Sequence, residues 1–170
     1  MKGKSITFIG MSGVGKTTFG KRIAKKLNTS FIDTDHLIEE TSKSTLTTII
    51  EKNGESYFLN LEENIICNTT FPKNCIISTG GSVVYSKKTM LYLRQLSTIV
   101  YLKDSIENIQ KRVKKFTNRG IIMNEASSLE DLHQQRNMLY KTYANITIQV
   151  PTPFNVYKAE NHILSTLNLC

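Results

Sequence analysis

Residues 10–17 read Gly-Met-Ser-Gly-Val-Gly-Lys-Thr and fit the pattern G-x-x-x-x-G-K-[ST] at every fixed position. This pattern constrains a fold because it works only between a strand and a helix. The glycines let successive backbone N–H groups turn inward to form an anion nest. Lys16 has the reach for β- and γ-phosphates, and the Thr17 hydroxyl suits Mg²⁺. The flanks agree. Residues 5–9, Ser-Ile-Thr-Phe-Ile, are a short β-rich run, and residues 18–27 carry a helical pattern whose N-terminal dipole faces the phosphates. The expected nucleotide contacts are therefore Gly10, Met11, Ser12, Gly13, Val14, Gly15, Lys16, Thr17 and Thr18, with Mg-ATP as donor. An ordinary glycine-rich turn lacks those flanks.

The rest of the chain alternates strand and helix signals, which predicts an α/β fold with a mostly parallel sheet. Strands are expected over 5–9, 31–33, 75–79, 99–102 and 146–150. Helices are expected over 16–27, 36–41, 46–53, 55–68, 86–96, 105–116, 128–142 and 155–167, with Ser86 and Asn155 as N-caps of the helices they open. Pro151 and Pro153 bracket a loop after the last strand. At 170 residues, without repeats or long linkers, the chain fits a single domain. In open α/β sheets the ligand site lies at the carboxyl ends of the strands.

Composition narrows the partners. The formal net charge is +8, and the cations gather as Lys16, Lys21, Arg22, Lys25 and Lys26 and as Lys111, Arg112, Lys114, Lys115 and Arg119. Such a field suits phosphates and an anionic substrate, although solvated helix faces would look the same. No basic-and-aromatic stacking pattern is present, so a nucleic-acid partner is not expected. No run approaches the roughly 20 apolar residues of a membrane span, and Met1-Lys2-Gly3-Lys4 does not read as a secretion signal. A cytoplasmic monomer is expected. Cys67, Cys75 and Cys170 lack metal-ligand spacing and read as free thiols.

Three segments should meet the phosphate loop at the strand ends. Asp33-Thr34-Asp35 places one carboxylate for Mg²⁺ and one to take a proton from an attacking hydroxyl; alternatively, Asp35 only caps the following helix. Ser78-Thr79-Gly80-Gly81-Ser82 offers adjacent glycines that admit a ligand close to the backbone. The segment after Arg119, with Asn-Arg-Gly turn chemistry and polar Asn124-Glu125, is expected to be mobile, and with Arg112 on the helix before it such an arginine-bearing segment could close over the nucleotide. Arg136, alone on a helix, would by itself pass for a surface residue.

Taken together, residues 10–17, Asp33-x-Asp35, Gly54-Glu55-x-x-Phe58-x-x-x-Glu62, Ser78-Thr79-Gly80-Gly81, Arg112, Arg119 and Arg136-Asn-x-Leu139-Tyr140 resemble the shikimate kinase family. The resemblance runs from about Lys4 to the C-terminus. It implies a P-loop kinase fold with a five-stranded parallel sheet in the order 2-3-1-4-5, a substrate-binding region about 34–62 and a lid about 113–125. It implies transfer of the γ-phosphoryl of ATP to the 3-hydroxyl of shikimate. By position, Thr17 resembles the Mg²⁺ ligand and Asp33 reaches the ion through water. Asp35 resembles the residue that polarises the attacking hydroxyl, Lys16 and Arg119 the transition-state cations, and Arg112 the arginine that stacks on adenine. Gly80 and Gly81 resemble substrate contacts, and Arg136 the grip on the carboxylate.

The departures fall on the acceptor side. The family places an arginine after the phenylalanine of its Phe-x-x-x-Glu element, where this chain has Leu59. The third glycine of a Gly-Gly-Gly run is Ser82, and an Arg-Pro pair in the lid is Arg119-Gly120, a change that loosens the backbone. Three readings follow: a working shikimate kinase, a kinase for another hydroxyl compound, or a non-catalytic ATP-binding relative. The retained Lys16 and Asp35 favour the two enzyme readings.

Overall fold

A computed structural model describes residues 4–112 and 121–169, and it describes Arg112 as the last residue of its helix. The elements in chain order are β1 (Ser5–Ile9), α1 (Lys16–Leu27), β2 (Phe31–Asp33), α2 (Thr34–Ser42), α3 (Leu46–Asn53), α4 (Glu55–Asn68), β3 (Ile76–Ser78), a 3₁₀ turn (Val83–Tyr85), α5 (Lys87–Leu96), β4 (Ser97–Lys103), α6 (Ile106–Arg112), α7 (Leu129–Tyr143), β5 (Ile146–Gln149) and α8 (Val156–Thr166). All strand pairs are parallel, and the sheet order is β2-β3-β1-β4-β5 as expected.

The sheet reads as a sheet because its middle is apolar on both faces. Every residue of β1 and β3 is buried, as are the first six of β4. That is the pattern of a parallel strand covered by helices on each side. The edges differ: β2 is half-buried, and in β5 only Ile148 is buried. Around this sheet one apolar cluster gathers Phe8, Phe19, Ile23, Ile77, Val100 and Ile163 from the strands and from α1 and α8. A second, smaller cluster joins Ile38, Ile49 and Phe58 of α2, α3 and α4 to Ile122, with Leu59 and Tyr85 packed against it.

The helix starts follow local chemistry. Ser86 accepts from the Thr89 amide and Asn155 from the amides of Tyr157 and Lys158, as expected of N-caps. One start differs from the sequence reading. The helix expected from residue 36 begins at Thr34, because Asp33 is its N-cap and accepts from the Asp35 amide at 3.1 Å. Asp35 is therefore inside the first turn and is not the cap. The helix expected over 105–116 is α6 up to Arg112; the remainder lies outside the described residues. Cys67 and Cys75 are free thiols, and Cys170 lies outside the described residues. Among the described residues no helix is long and apolar enough to cross a membrane.

Candidate active site

β1 ends at Ile9 and α1 starts at Lys16, so the phosphate loop spans the gap at the carboxyl edge of the sheet. Gly15 opens α1 at φ 111°, a region that side chains with a Cβ rarely adopt, and a Cβ there would lie 2.7 Å from the Phe19 ring. The Lys16 ammonium folds back on the loop, donating to the Gly10 carbonyl at 2.7 Å and the Met11 carbonyl at 2.9 Å. Residues Ser12 to Thr18 line a cleft of about 940 Å³ with Asp35, Glu39, Thr45, Leu46, Thr47, Thr79, Phe154 and Val156.

The end of β2 delivers the first carboxylates. The Thr17 hydroxyl donates to Asp33 Oδ2 at 2.8 Å and lies 3.3 Å from the Ser78 hydroxyl. Thr17, Asp33 and Ser78 thus present hard oxygen donors on one side of the loop. The described residues hold no group of three or more His, Cys, Asp or Glu side chains placed to hold a metal ion. A dehydration-averse ion such as Mg²⁺ needs no such cage. It takes one or two protein oxygens and completes its shell with phosphate and water, so this donor set fits it.

Asp35 faces the same cleft from the first turn of α2. Burial first, then the neighbouring Asp33 carboxylate, push its carboxyl up to about 6, with Lys16 opposing. Such a group is ionised at neutral pH yet remains basic enough to accept a proton. Its Oδ1 lies 2.6 Å from the point a Cβ on Gly80 would occupy, and Glu62 Oε1 lies 2.8 Å from the same point. A side chain at Gly80 would have to displace both carboxyls.

Arg136 is 1% exposed and is not the surface residue that an isolated helical arginine suggests. From α7 its Nε donates to the Tyr85 hydroxyl at 3.2 Å, its Nη2 to the Ile122 carbonyl at 2.5 Å, and its guanidinium stacks 5.2 Å from the Tyr85 ring centre. Its Nη1 lies 2.8 Å, and the Ser12 hydroxyl 3.3 Å, from the point where a Cβ on Gly81 would stand. Tyr140, one turn further along α7, donates to the Gly81 carbonyl at 2.7 Å. The structure therefore brings Asp35, Gly80, Gly81 and Arg136 to the phosphate loop. Arg119 lies outside the described residues, and so does the Arg112 side chain.

Four features were not assigned a place by the sequence reading. Glu62 stood only as a motif letter; here it is buried beside Asp35 and accepts from the Ser82 hydroxyl at 2.9 Å. Tyr85 carried no signal apart from its aromatic type. Phe154, just past the loop bracketed by Pro151 and Pro153, and Val156, which opens α8, line the cleft, and that loop's position after the last strand was the available hint. Glu55 accepts from the amides of Met123 and Asn124 at 2.8 and 2.9 Å, which ties the start of α4 to the segment returning to α7. The described end of the segment expected to be mobile, residues 121–125, is held by these bonds and by the burial of Ile122. The charge reading also changes in detail: Arg22 is committed to Glu160 at 2.5 Å and to the Tyr157 ring, away from the cleft.

Leu59 packs with the second apolar cluster, which contains Ile122 and Tyr85, the two partners of Arg136. No hydrogen-bond donor on that side chain is available to the acceptor end of the site.

The profile of the family described as Shikimate kinase matches residues 12–165. A shikimate kinase of Haemophilus influenzae (strain ATCC 51907 / DSM 11121 / KW20 / Rd) is 35% identical over 148 residues, covering 85% of this chain and 82% of its own. One from Caldanaerobacter subterraneus subsp. tengcongensis is 36% identical over 149 residues, covering 86% of each. The solved shikimate kinase from Acinetobacter baumannii in complex with shikimate superposes with a TM-score of 0.83 at 28% identity, covering 97% of this chain and 93% of that one. With the profile spanning well over half the sequence, the chain belongs to the shikimate kinase family and is an ATP-dependent small-molecule kinase.

Proposed function

We propose that the protein transfers the γ-phosphoryl of ATP to a hydroxyl of a small anionic acceptor, the 3-hydroxyl of shikimate. One observation carries the reading: Asp35, with its raised carboxyl, faces the same cleft as the phosphate loop and stands across Gly80 and Gly81 from the buried guanidinium of Arg136. A base, a phosphate cradle and a carboxylate-binding cation meet around Gly80 and Gly81.

The loop amides from Gly13 to Thr18 and the Lys16 ammonium bind the phosphates. Lys16 exchanges the Gly10 and Met11 carbonyls for phosphate oxygens as the nucleotide enters. Thr17 and Asp33 would hold Mg²⁺, which when bound supplies positive charge to the phosphate oxygens. Asp35 accepts the proton of the acceptor hydroxyl as its oxygen forms a bond to the γ-phosphorus. The bond from that phosphorus to the bridging oxygen breaks, and ADP leaves with the electron pair. Arg136 holds the acceptor's carboxylate and so fixes which hydroxyl meets Asp35. Arg112 and Arg119 are proposed to act on adenine and on the transferring group, and residues 113–125 and 34–62 are proposed as the lid and the acceptor-binding region.

A second reading has its own observation. Leu59 sits in an apolar cluster where the family pattern has an arginine, so an acceptor with less need of a paired-arginine grip is favoured by that position. ADP release in a coupled assay with shikimate decides between them. A Michaelis constant in the range of about 1 μM to 1 mM supports shikimate as acceptor. Turnover of other hydroxy acids or sugars, but not of shikimate, supports the second reading.

A further inference from the structure

Among the described residues, Glu62 is the buried side chain near the site whose hydrogen-bonding is incomplete. It is 2% exposed, Oε2 accepts from the Ser82 hydroxyl, and among the described residues Oε1 has no hydrogen-bond partner. A buried ionised carboxylate requires charge-assisted partners on its oxygens. Here a single neutral hydroxyl is offered. The nearby cation, Arg136, directs its Nε and Nη2 to Tyr85 and the Ile122 carbonyl instead. A neutral acid fits this setting: Oε2 as the acceptor for Ser82, and the proton on Oε1, the oxygen beside Gly80 and Asp35.

We propose that Glu62 is a positioning residue for the anionic acceptor: as a neutral acid held by Ser82, it leaves the charge of Arg136 uncancelled for the acceptor's carboxylate. The role rests on the acceptor reading given above. Its logic is charge balance at the acceptor end. Arg136, directed to two neutral partners, keeps its positive charge at that end and admits an anion. Ionised Glu62 would add a second negative charge beside Asp35 and neutralise Arg136 before the acceptor arrives. Leu59 supplies no cation to offset it. Ser82, which departs from the family's glycine, supplies the donor that fixes the acid's orientation.

The groups that face Glu62 come from every neighbouring element. Asp35 lies on α2, Ser82 follows β3 and Arg136 lies on α7; Asp33 and Glu39 act on Asp35 in turn. Lys16 acts on Asp35 from the loop. Glu63, next along α4, pairs with Ser86 and Lys88 on the opposite side and does not contribute. Burial first, then the Asp35 charge, push Glu62 up to about 8 against the Ser82 bond and Arg136, so it keeps its proton at neutral pH.

The sign follows. Glu62 is neutral below its titration and charged above it, so acceptor affinity is full near pH 7 and falls as pH rises past about 8. The test measures shikimate KM, shikimate Kd and kcat for wild type and Glu62→Gln at about pH 7 and about pH 9. In wild type KM and Kd should rise roughly tenfold while kcat changes little. Glu62→Gln, a neutral isostere, should match wild type at the lower pH and stay flat. An infrared band of a protonated carboxyl, measured without acceptor, should be present at the lower pH and be absent from Glu62→Gln.

A flat wild-type KM over this range, or a glutamine variant that still shows the pH step, overturns the role and leaves the acceptor reading standing. Shikimate that binds at neither pH, with the infrared band intact, removes the proposed acceptor, and this role falls with it.

Discussion

Asp35 and Arg136 differ in how readily a sequence discloses them. Asp35 sits two residues past a strand and about 20 after a phosphate loop, a position that chemistry can read. For Asp35→Asn, kcat should fall on the order of 10²- to 10⁴-fold with ATP affinity unchanged, because a base is removed and the phosphate cradle is not. Steady-state kinetics and nucleotide calorimetry check both halves, and full activity would take Asp35 out of the reaction. Arg136 gives no such cue. Its burial depends on Tyr85 and Ile122, which are 51 and 14 residues away, and no local pattern states that. Leu59→Arg belongs to the same scale. Placed on the acceptor side beside a buried acid, a new guanidinium should lower the shikimate KM about tenfold or more. An unchanged KM would show that Leu59 is not the position that limits the acceptor.

At the scale of elements, strand and helix periodicity sufficed where one face is apolar and one is polar. α1, α3 and α4 have the predicted bounds. α2 did not, because its start is set by a side-chain bond, Asp33 to the Asp35 amide, and capping chemistry shifts a boundary that hydrophobic periodicity cannot see. That one carboxylate both ends a strand and caps a helix while accepting from Thr17, so the metal position and the α2 start share a residue. The Glu55 bonds to Met123 and Asn124 join elements nearly 70 positions apart, and a motif letter did not reveal them. Glu55→Ala should raise hydrogen exchange at those two amides by about tenfold or more, since hydrogen bonds to a charged group contribute roughly 1.5–3 kcal/mol each. Exchange measured by NMR or mass spectrometry tests it, and unaltered protection would mean the bonds do not hold the segment.

For the whole molecule, the two raised carboxyls set how stability varies with pH. The folded state keeps protons on Asp35 and Glu62 up to about 6 and about 8, whereas the unfolded chain releases them near 3.8 and 4.5. Between those limits the folded state binds more protons, so stability falls as pH rises and levels off above about 8. The surface groups Glu63 and Glu107 shift the opposite way and act only at acid pH. Thermal unfolding should therefore show a Tm that declines from about pH 5 to about pH 8, and Glu62→Gln should recover a few degrees at the alkaline end. A glutamine variant that melts with the wild type across that range would mean Glu62 is ionised in the folded protein.

By itself the sequence determined the donor half of this protein. A contiguous loop between a strand and a helix carries the expected phosphate contacts and Thr17, and contiguity is what a linear pattern records. Alternating apolar runs likewise determined a parallel sheet, and the resemblance supplied its strand order. Only the tertiary structure decided the acceptor half. Asp35, Glu62, Gly80, Ser82, Tyr85, Ile122 and Arg136 are scattered over about a hundred residues, and whether each is buried, paired or charged depends on its neighbours across the fold. Desolvation and charge act through space, so the chemistry of Glu62 beside Asp35 existed nowhere in the string of residues until the chain brought them together.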